Sequence, residues 1–135
     1  MTEAQYQIEV FKWARHPAVL HTYPELALLY HIPNGGKRNA VEAAHFKQQG
    51  VLPGVADLHL PVARGCYYSL YIEMKADKGR PSANQVWFGK NVTALGNFWV
   101  ICHGSRQAIQ TLEWYLKGAV GDCPVRNRKD LQNES

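Results

Sequence analysis

Apolar positions change their period several times along the chain. Tyr6, Val10, Trp13 and Ala14 recur at helical spacing with Phe11 beside them, which predicts a helix from Thr2 to about Arg15. Thr2 is its expected cap, Glu3 falls in the first turn, and Pro17 ends the pattern. Leu26 to Ile32 is a short apolar run that reads as a buried strand, and Pro33-Asn34-Gly35-Gly36 marks a turn after it. Asn39 to Gln49 reads as a helix with Gly50 as its C-cap. From Val55 to Val62 the pattern alternates. Asp57 and His59 fall on one face of a predicted strand, and Ala56, Leu58 and Leu60 on the other.

Arg64-Gly65 punctuates a turn, and Tyr67 to Ala76 reads as a second strand, so Asp57 through Lys75 forms a candidate hairpin. Ser82 is the expected cap of a helix running to about Leu95, which Gly96 stops. Asn97 to His103 reads as a fourth strand, and Ser105 as the cap of a last helix through about Lys117. Trp87, Trp99, Trp114 and Tyr115 fall at helix or strand spacing and are assigned to the core. The order α-β-α-β-β-α-β-α predicts a single α/β sandwich with a mixed central sheet flanked by helices. Residues 1–119 form the expected domain, and the polar stretch 120–135 is an expected mobile tail.

Composition narrows the picture. With 135 residues, 46% hydrophobic and 19% charged, the chain can bury one core, and its site must be built from that core. A formal charge of +4 permits a polyanionic partner without demanding one. Cys66, Cys102 and Cys123 are odd in number and widely spaced, which argues against a disulfide framework and a zinc ribbon; three reduced thiols are the expectation. The polar start Met1-Thr2-Glu3-Ala4-Gln5 lacks an apolar signal core, and no run approaches a membrane span. A soluble, cytoplasmic protein of a bacterial or phage-infected cell is expected.

The chemistry concentrates in Gly54-Val55-Ala56-Asp57 and Glu73-Met74-Lys75. Residues two apart on a strand share a face, so Glu73 and Lys75 point one way and Met74 points into the core. If the two strands pair, Asp57 reaches the same edge. Two carboxylates and an amine then converge, and hard carboxylate oxygens suit Mg²⁺ or Mn²⁺. Taken alone, a Glu-x-Lys pair is also a common solvent-facing salt bridge on a sheet.

The order of these elements resembles the PD-(D/E)xK nuclease superfamily, and more closely its VRR-NUC (virus-type replication-repair nuclease) group. The residues that carry the resemblance are Glu3 with Gln7, Asn34-Gly35-Gly36-Lys37-Arg38, Gly54-Val55-Ala56-Asp57, Glu73-Met74-Lys75 and Ser82-Ala83-Asn84-Gln85, with Gly96, Val100, Ala108 and Leu116 closing a match over residues 2–116. The family usually has Pro before the Asp, where this chain has Ala56. The resemblance implies a restriction-endonuclease-like core and a divalent-metal-dependent endonuclease of DNA. It implies that Asp57, Glu73, the Met74 carbonyl and Glu3 bind Mg²⁺ or Mn²⁺, that Lys75 acts on the attacking water, and that Gln85 sits beside the site. Glu9 competes with Glu3 for the helical role, and Glu3 is preferred because Gln7 follows it. A homodimer acting on branched DNA such as four-way (Holliday) junctions is implied as well, since symmetric cutting of two strands needs two sites.

Other patterns carry less. Six histidines occur without His-x₃-His or Cys-x₂-Cys spacing, so a zinc site is not expected, and the spacing of His31, Asn34 and His45 does not fit an HNH element. His59 is expected to be solvated or hydrogen-bonded. Asn34, Gly36, Lys37 and Arg38 lie in the most basic stretch of the folded region; the segment lacks a P-loop pattern and reads either as a plain turn or as a phosphate grip. The rival reading from another class is a catalytically idle nucleic-acid-binding module of the same fold.

Overall fold

The computed structural model describes residues 1–33 and 40–121. The elements are α1 (Glu3–Ala14), α2 (Pro17–Thr22), a 3-10 turn (Pro24–Leu28), β1 (Tyr30–His31), α3 (Ala40–Gln48), β2 (Leu58–Leu60), β3 (Leu70–Lys75), α4 (Ala83–Ala94), β4 (Phe98–His103) and α5 (Ser105–Lys117). They build the expected α/β sandwich around one mixed sheet of order β1-β2-β3-β4. β2 pairs antiparallel with both β1 and β3, and β3 and β4 are parallel, in the register Glu73↔Ile101 and Lys75↔His103.

The strand alternation sorts the two faces. Leu70, Ile72, Met74 and Cys102 point to one side and join Val10 and Ala14 of α1 with Ala108, Leu112, Tyr115 and Leu116 of α5 in the core. The odd-numbered residues face α4, where Tyr71 meets Phe88 edge-on with ring centroids 5.2 Å apart. α4 lies very close to the sheet: a Cβ on Gly89 would sit 2.4 Å from the Trp99 ring. Thus the α4 side of β3 carries the polar residues Glu73 and Lys75, while the α1/α5 side is dry. Among the described residues no helix is long and apolar enough to cross a membrane.

Several local expectations change in the folded chain. The run Leu26–Ile32 is not a buried strand. Pro24, with its fixed φ, opens a 3-10 turn that aims Leu26 and Leu29 inward and leaves Leu28 exposed, and β1 is confined to two exposed residues. The carbonyls of Leu26 and Leu29 accept bonds from the Arg15 guanidinium, which replaces the ladder partners a strand would have given them. Pro17 does more than end α1. It occupies the first turn of α2, where its missing N–H costs nothing, and His16 Nδ1 caps that turn at 3.2 Å from the Ala18 N–H. Ser105 does not cap α5; Gly104 holds that place, and the Ser105 hydroxyl donates to Glu9 Oε2 at 2.5 Å, joining α5 to α1.

The aromatic assignment also divides: Tyr115 is buried, whereas Trp87 and Trp114 stand more than half exposed, at 54% and 56%. Cys102 is a free buried thiol, but Cys66 is disulfide-bonded, against the expectation of three reduced cysteines. Residues 122–135, and the loop residues Asn34, Gly36, Lys37 and Arg38 of the expected phosphate grip, lie outside the described residues.

Candidate active site

Two capping boxes and one antiparallel pairing assemble a cleft on the α4 side of the sheet. The Thr2 hydroxyl accepts the Gln5 N–H at 3.2 Å, and Gln5 Oε1 accepts the Thr2 N–H at 2.7 Å, so α1 starts at Glu3. The same box recurs at α4, where the Ser82 hydroxyl accepts the Gln85 N–H at 3.2 Å and Gln85 Oε1 accepts the Ser82 N–H at 2.8 Å. Between these helix starts lies a cleft of about 360 Å³. It gathers Glu3, Asp57, Glu73, Lys75 and Gln85 with Gly54 and Asn84.

The hairpin register brings the central trio together. β2 begins at Leu58 opposite Ile72, so Asp57 lies just past the last pair, beside the end of β3. Its Oδ2 accepts the Met74 N–H at 2.7 Å. In a strand the N–H and C=O of one residue point to the same edge, so the Met74 carbonyl opens toward Asp57 as well. Met74's side chain is buried in the core, as the alternation requires. Lys75 Nζ lies 3.6 Å from Glu73 Oε1 and 3.8 Å from Glu3 Oε1, and its side chain is largely buried. Glu3, rather than Glu9, therefore meets the trio, because Glu9 is engaged by Ser105.

Glu73 is electrostatically poised. It is only 2% exposed, and its Oε2 is the one fully buried side-chain oxygen without a hydrogen-bond partner among the described residues. Burial, reinforced by the neighbouring Asp57 charge and opposed by Lys75, pushes its pKa from the ordinary 4.5 to about 8. In the metal-free protein the folded state thus holds a proton that the unfolded chain releases. Thermal stability should be highest at or below about pH 4.5 for this group and should fall as pH rises to about 8, with no further loss beyond. Melting curves across that range test this, and Glu73→Gln should flatten the decline.

Among the described residues no three His, Cys, Asp or Glu side chains form a group that could by themselves hold a metal ion. The donor set nonetheless fits a hard divalent cation at Asp57 and Glu73. Asp57 and Glu73 line the cleft, the Met74 carbonyl opens toward Asp57, and Glu73 Oε2 is buried without a hydrogen-bond partner. Glu3 stands at one remove, on the lysine. Gln85 lines the cleft with its carbonyl oxygen committed to the helix cap, leaving its amide group for the site.

Gly54 and Asn84 stand among the motif residues of the sequence without either being given a place in the cleft, which both line. Gly54 has φ +90, and a Cβ there would lie 2.5 Å from the Asn84 backbone carbonyl. Loop 50–56 and the start of α4 approach that closely only because the position is glycine. Gly54→Ala should lower stability by about 2 kcal/mol or more, from backbone strain plus the clash, and displace Asn84 and Gln85. A melt and a comparison of cleft geometry by crystallography check it. His59, on the Asp57 face, is fully engaged elsewhere. It stacks on Tyr71 at 4.2 Å, accepts the Tyr30 hydroxyl at 2.6 Å and donates to the Ser69 hydroxyl at 3.0 Å, and burial lowers its pKa, so the neutral ring is a structural link.

Fold and cleft together define the class: a PD-(D/E)xK-type nuclease fold, with an acidic first helix and a hairpin bearing Asp and Glu-x-Lys. Within that class, a solved structure described as a VRR_NUC domain protein aligns at a TM-score of 0.75 and 27% identity, covering 91% of this chain and 95% of that one. The chain therefore has the VRR-NUC form of the nuclease fold. No protein-family model matches the sequence, and no curated protein matches it.

Proposed function

We propose that this chain is a divalent-metal-dependent endonuclease that hydrolyses DNA phosphodiester bonds, preferring branched DNA such as four-way junctions and acting as a homodimer in the cytoplasm. The observation that carries this reading is the convergence of Asp57, Glu73 and Lys75 in one cleft, with the Glu73 oxygen left unpartnered. Asp57, Glu73 and the Met74 carbonyl would hold Mg²⁺ or Mn²⁺. The cation, when bound, supplies Lewis-acid polarisation of the scissile phosphate. Lys75, held between Glu73 and Glu3, presents its ammonium to the attacking water and to the charge growing on the phosphate. Glu3 keeps that ammonium in place. The preference for branched DNA and the dimer rest on the VRR-NUC resemblance and on the need for two sites to cut two strands.

Labelled single-stranded, duplex, flap and four-way-junction DNA, each incubated with Mg²⁺, Mn²⁺ or EDTA, test the proposal. Metal-dependent cutting, strongest on the junction, is the expected result. Binding without any cutting in either metal would favour the idle module. The helical carboxylates provide a second check. Glu3→Gln should slow cleavage by about 10-fold, the usual loss for a group that orients a catalytic residue. Glu9→Gln should cost little, because a carboxamide oxygen still accepts the Ser105 bond. The opposite ranking in initial-rate assays would show that Glu9 serves the site.

A further inference from the structure

Asp57 stands outside the regular ladder. β2 begins at Leu58, so Asp57 occupies the bend just before it. Ala56 ahead of it has no ring to restrain φ. The carboxylate accepts one bond from the Met74 N–H, which leaves the backbone of the bend to be held by other contacts. Two reach the Asp57 carbonyl, one from the Ile32 N–H at 2.8 Å and one from His31 Nδ1, also at 2.8 Å. A carbonyl oxygen cannot donate, so Nδ1 carries the proton.

The bond from His31 is not needed merely to hold β1 in the sheet. β1 is two exposed residues long, and Tyr30 already ties it to β2 through a 2.6 Å bond to His59 Nδ1. The backbone pairs Tyr30↔His59 and His31↔Leu58 fix the register. The His31 side chain instead reaches one residue further, onto Asp57, whose carboxylate enters the cleft. Both hydrogen-bonding ends of Asp57 are then clamped: the side chain by β3, the carbonyl by β1.

We propose that His31 is a positioning residue. Its Nδ1–H bond to the Asp57 carbonyl sets the direction in which the Asp57 carboxylate enters the cleft, and so sets the site's grip on a divalent cation. This rests on the metal-dependent reading above. Partners that orient metal ligands typically change metal affinity by about 10–100-fold when removed.

The test is Mn²⁺ binding by titration calorimetry to the full chain at one fixed pH, with melting temperature measured alongside. His31→Ala should weaken Mn²⁺ binding about 10-fold or more. His31→Asn places an amide N–H near the position of Nδ1 and should recover most of the affinity, whereas His31→Gln carries its donor too far out and should not. Tyr30→Phe removes the neighbouring β1–β2 bond and should lower the melting temperature with little change in Mn²⁺ affinity. In cleavage assays the Mn²⁺ concentration for half-maximal rate should rise for His31→Ala by the same factor as the affinity loss. If His31→Ala does not fold, the contrast between Asn and Gln carries the test. Equal Mn²⁺ affinity in wild type and the His31 variants, beside a wild type that binds and cuts, overturns this inference alone. A wild type that neither binds Mn²⁺ nor cuts DNA overturns the metal-dependent reading and this inference with it.

Discussion

Glu73→Ala and Asp57→Ala should each abolish cleavage while DNA binding is kept or tightened. Both carboxylates line the same cleft, and each is a proposed ligand of the divalent cation. Removing either takes away cation affinity and, in the metal-loaded site where both are ionised, a negative charge that repels phosphate. Loss of rate and unchanged or stronger binding therefore go together, which a mere folding defect would not produce. Glu73→Ala has a further signature. The native side chain is buried with one oxygen unpartnered, a cost that Lys75 offsets only in part in the metal-free state. The variant should thus be no less stable than wild type in EDTA and should lose the stabilisation that Mg²⁺ or Mn²⁺ confers on the native protein. Gel-based cleavage, equilibrium binding and melts with and without metal separate these effects. Either variant cutting near the wild-type rate in Mg²⁺ removes that residue from the site.

Lys75→Ala should slow cleavage by about 10²-fold or more at saturating metal, the scale of losing one preorganised charge or general base. The reason is geometric. The Lys75 ammonium is within 4 Å of both Glu73 and Glu3, and its stem is mostly buried, so little reorganisation separates its resting place from its working one. Metal affinity should fall much less, because the amine is not a ligand. Calorimetry that shows the metal lost, with the chemical step unchanged once metal is saturating, would assign Lys75 to binding instead. Lys75→Arg should not rescue fully: the guanidinium is larger and planar, and the space between Glu73 and Glu3 is shaped around an ammonium.

The sequence by itself determined the parts of this protein that depend on neighbours along the chain. Thr2 with Gln5 and Ser82 with Gln85 are bonds across three residues, so both helix starts were legible, although Gln85 was read as a site residue rather than half of a cap. Strand alternation placed Met74 in the core with Glu73 and Lys75 together on the other face, because the period of two is a local property of extended backbone.

What only the tertiary structure decided was which polar groups meet across elements. Glu3 and Glu9 both lie on α1, and the docking of that helix against β3 and α5 sends one to Lys75 and the other to Ser105. The run Leu26–Ile32 is as apolar as a buried strand, yet Pro24 opens a 3-10 turn through Leu28, and the Arg15 side chain satisfies the Leu26 and Leu29 carbonyls that a ladder would have used. Trp87 has helical spacing but lies on the outer side of α4, since Gly89 and Phe88 give the face that touches the sheet. His31 and Asp57 are 26 residues apart, and no periodicity links them. Periodicity reports which side of an element is apolar; it holds no information on the element that covers that side, and a site made of long-range contacts is decided there.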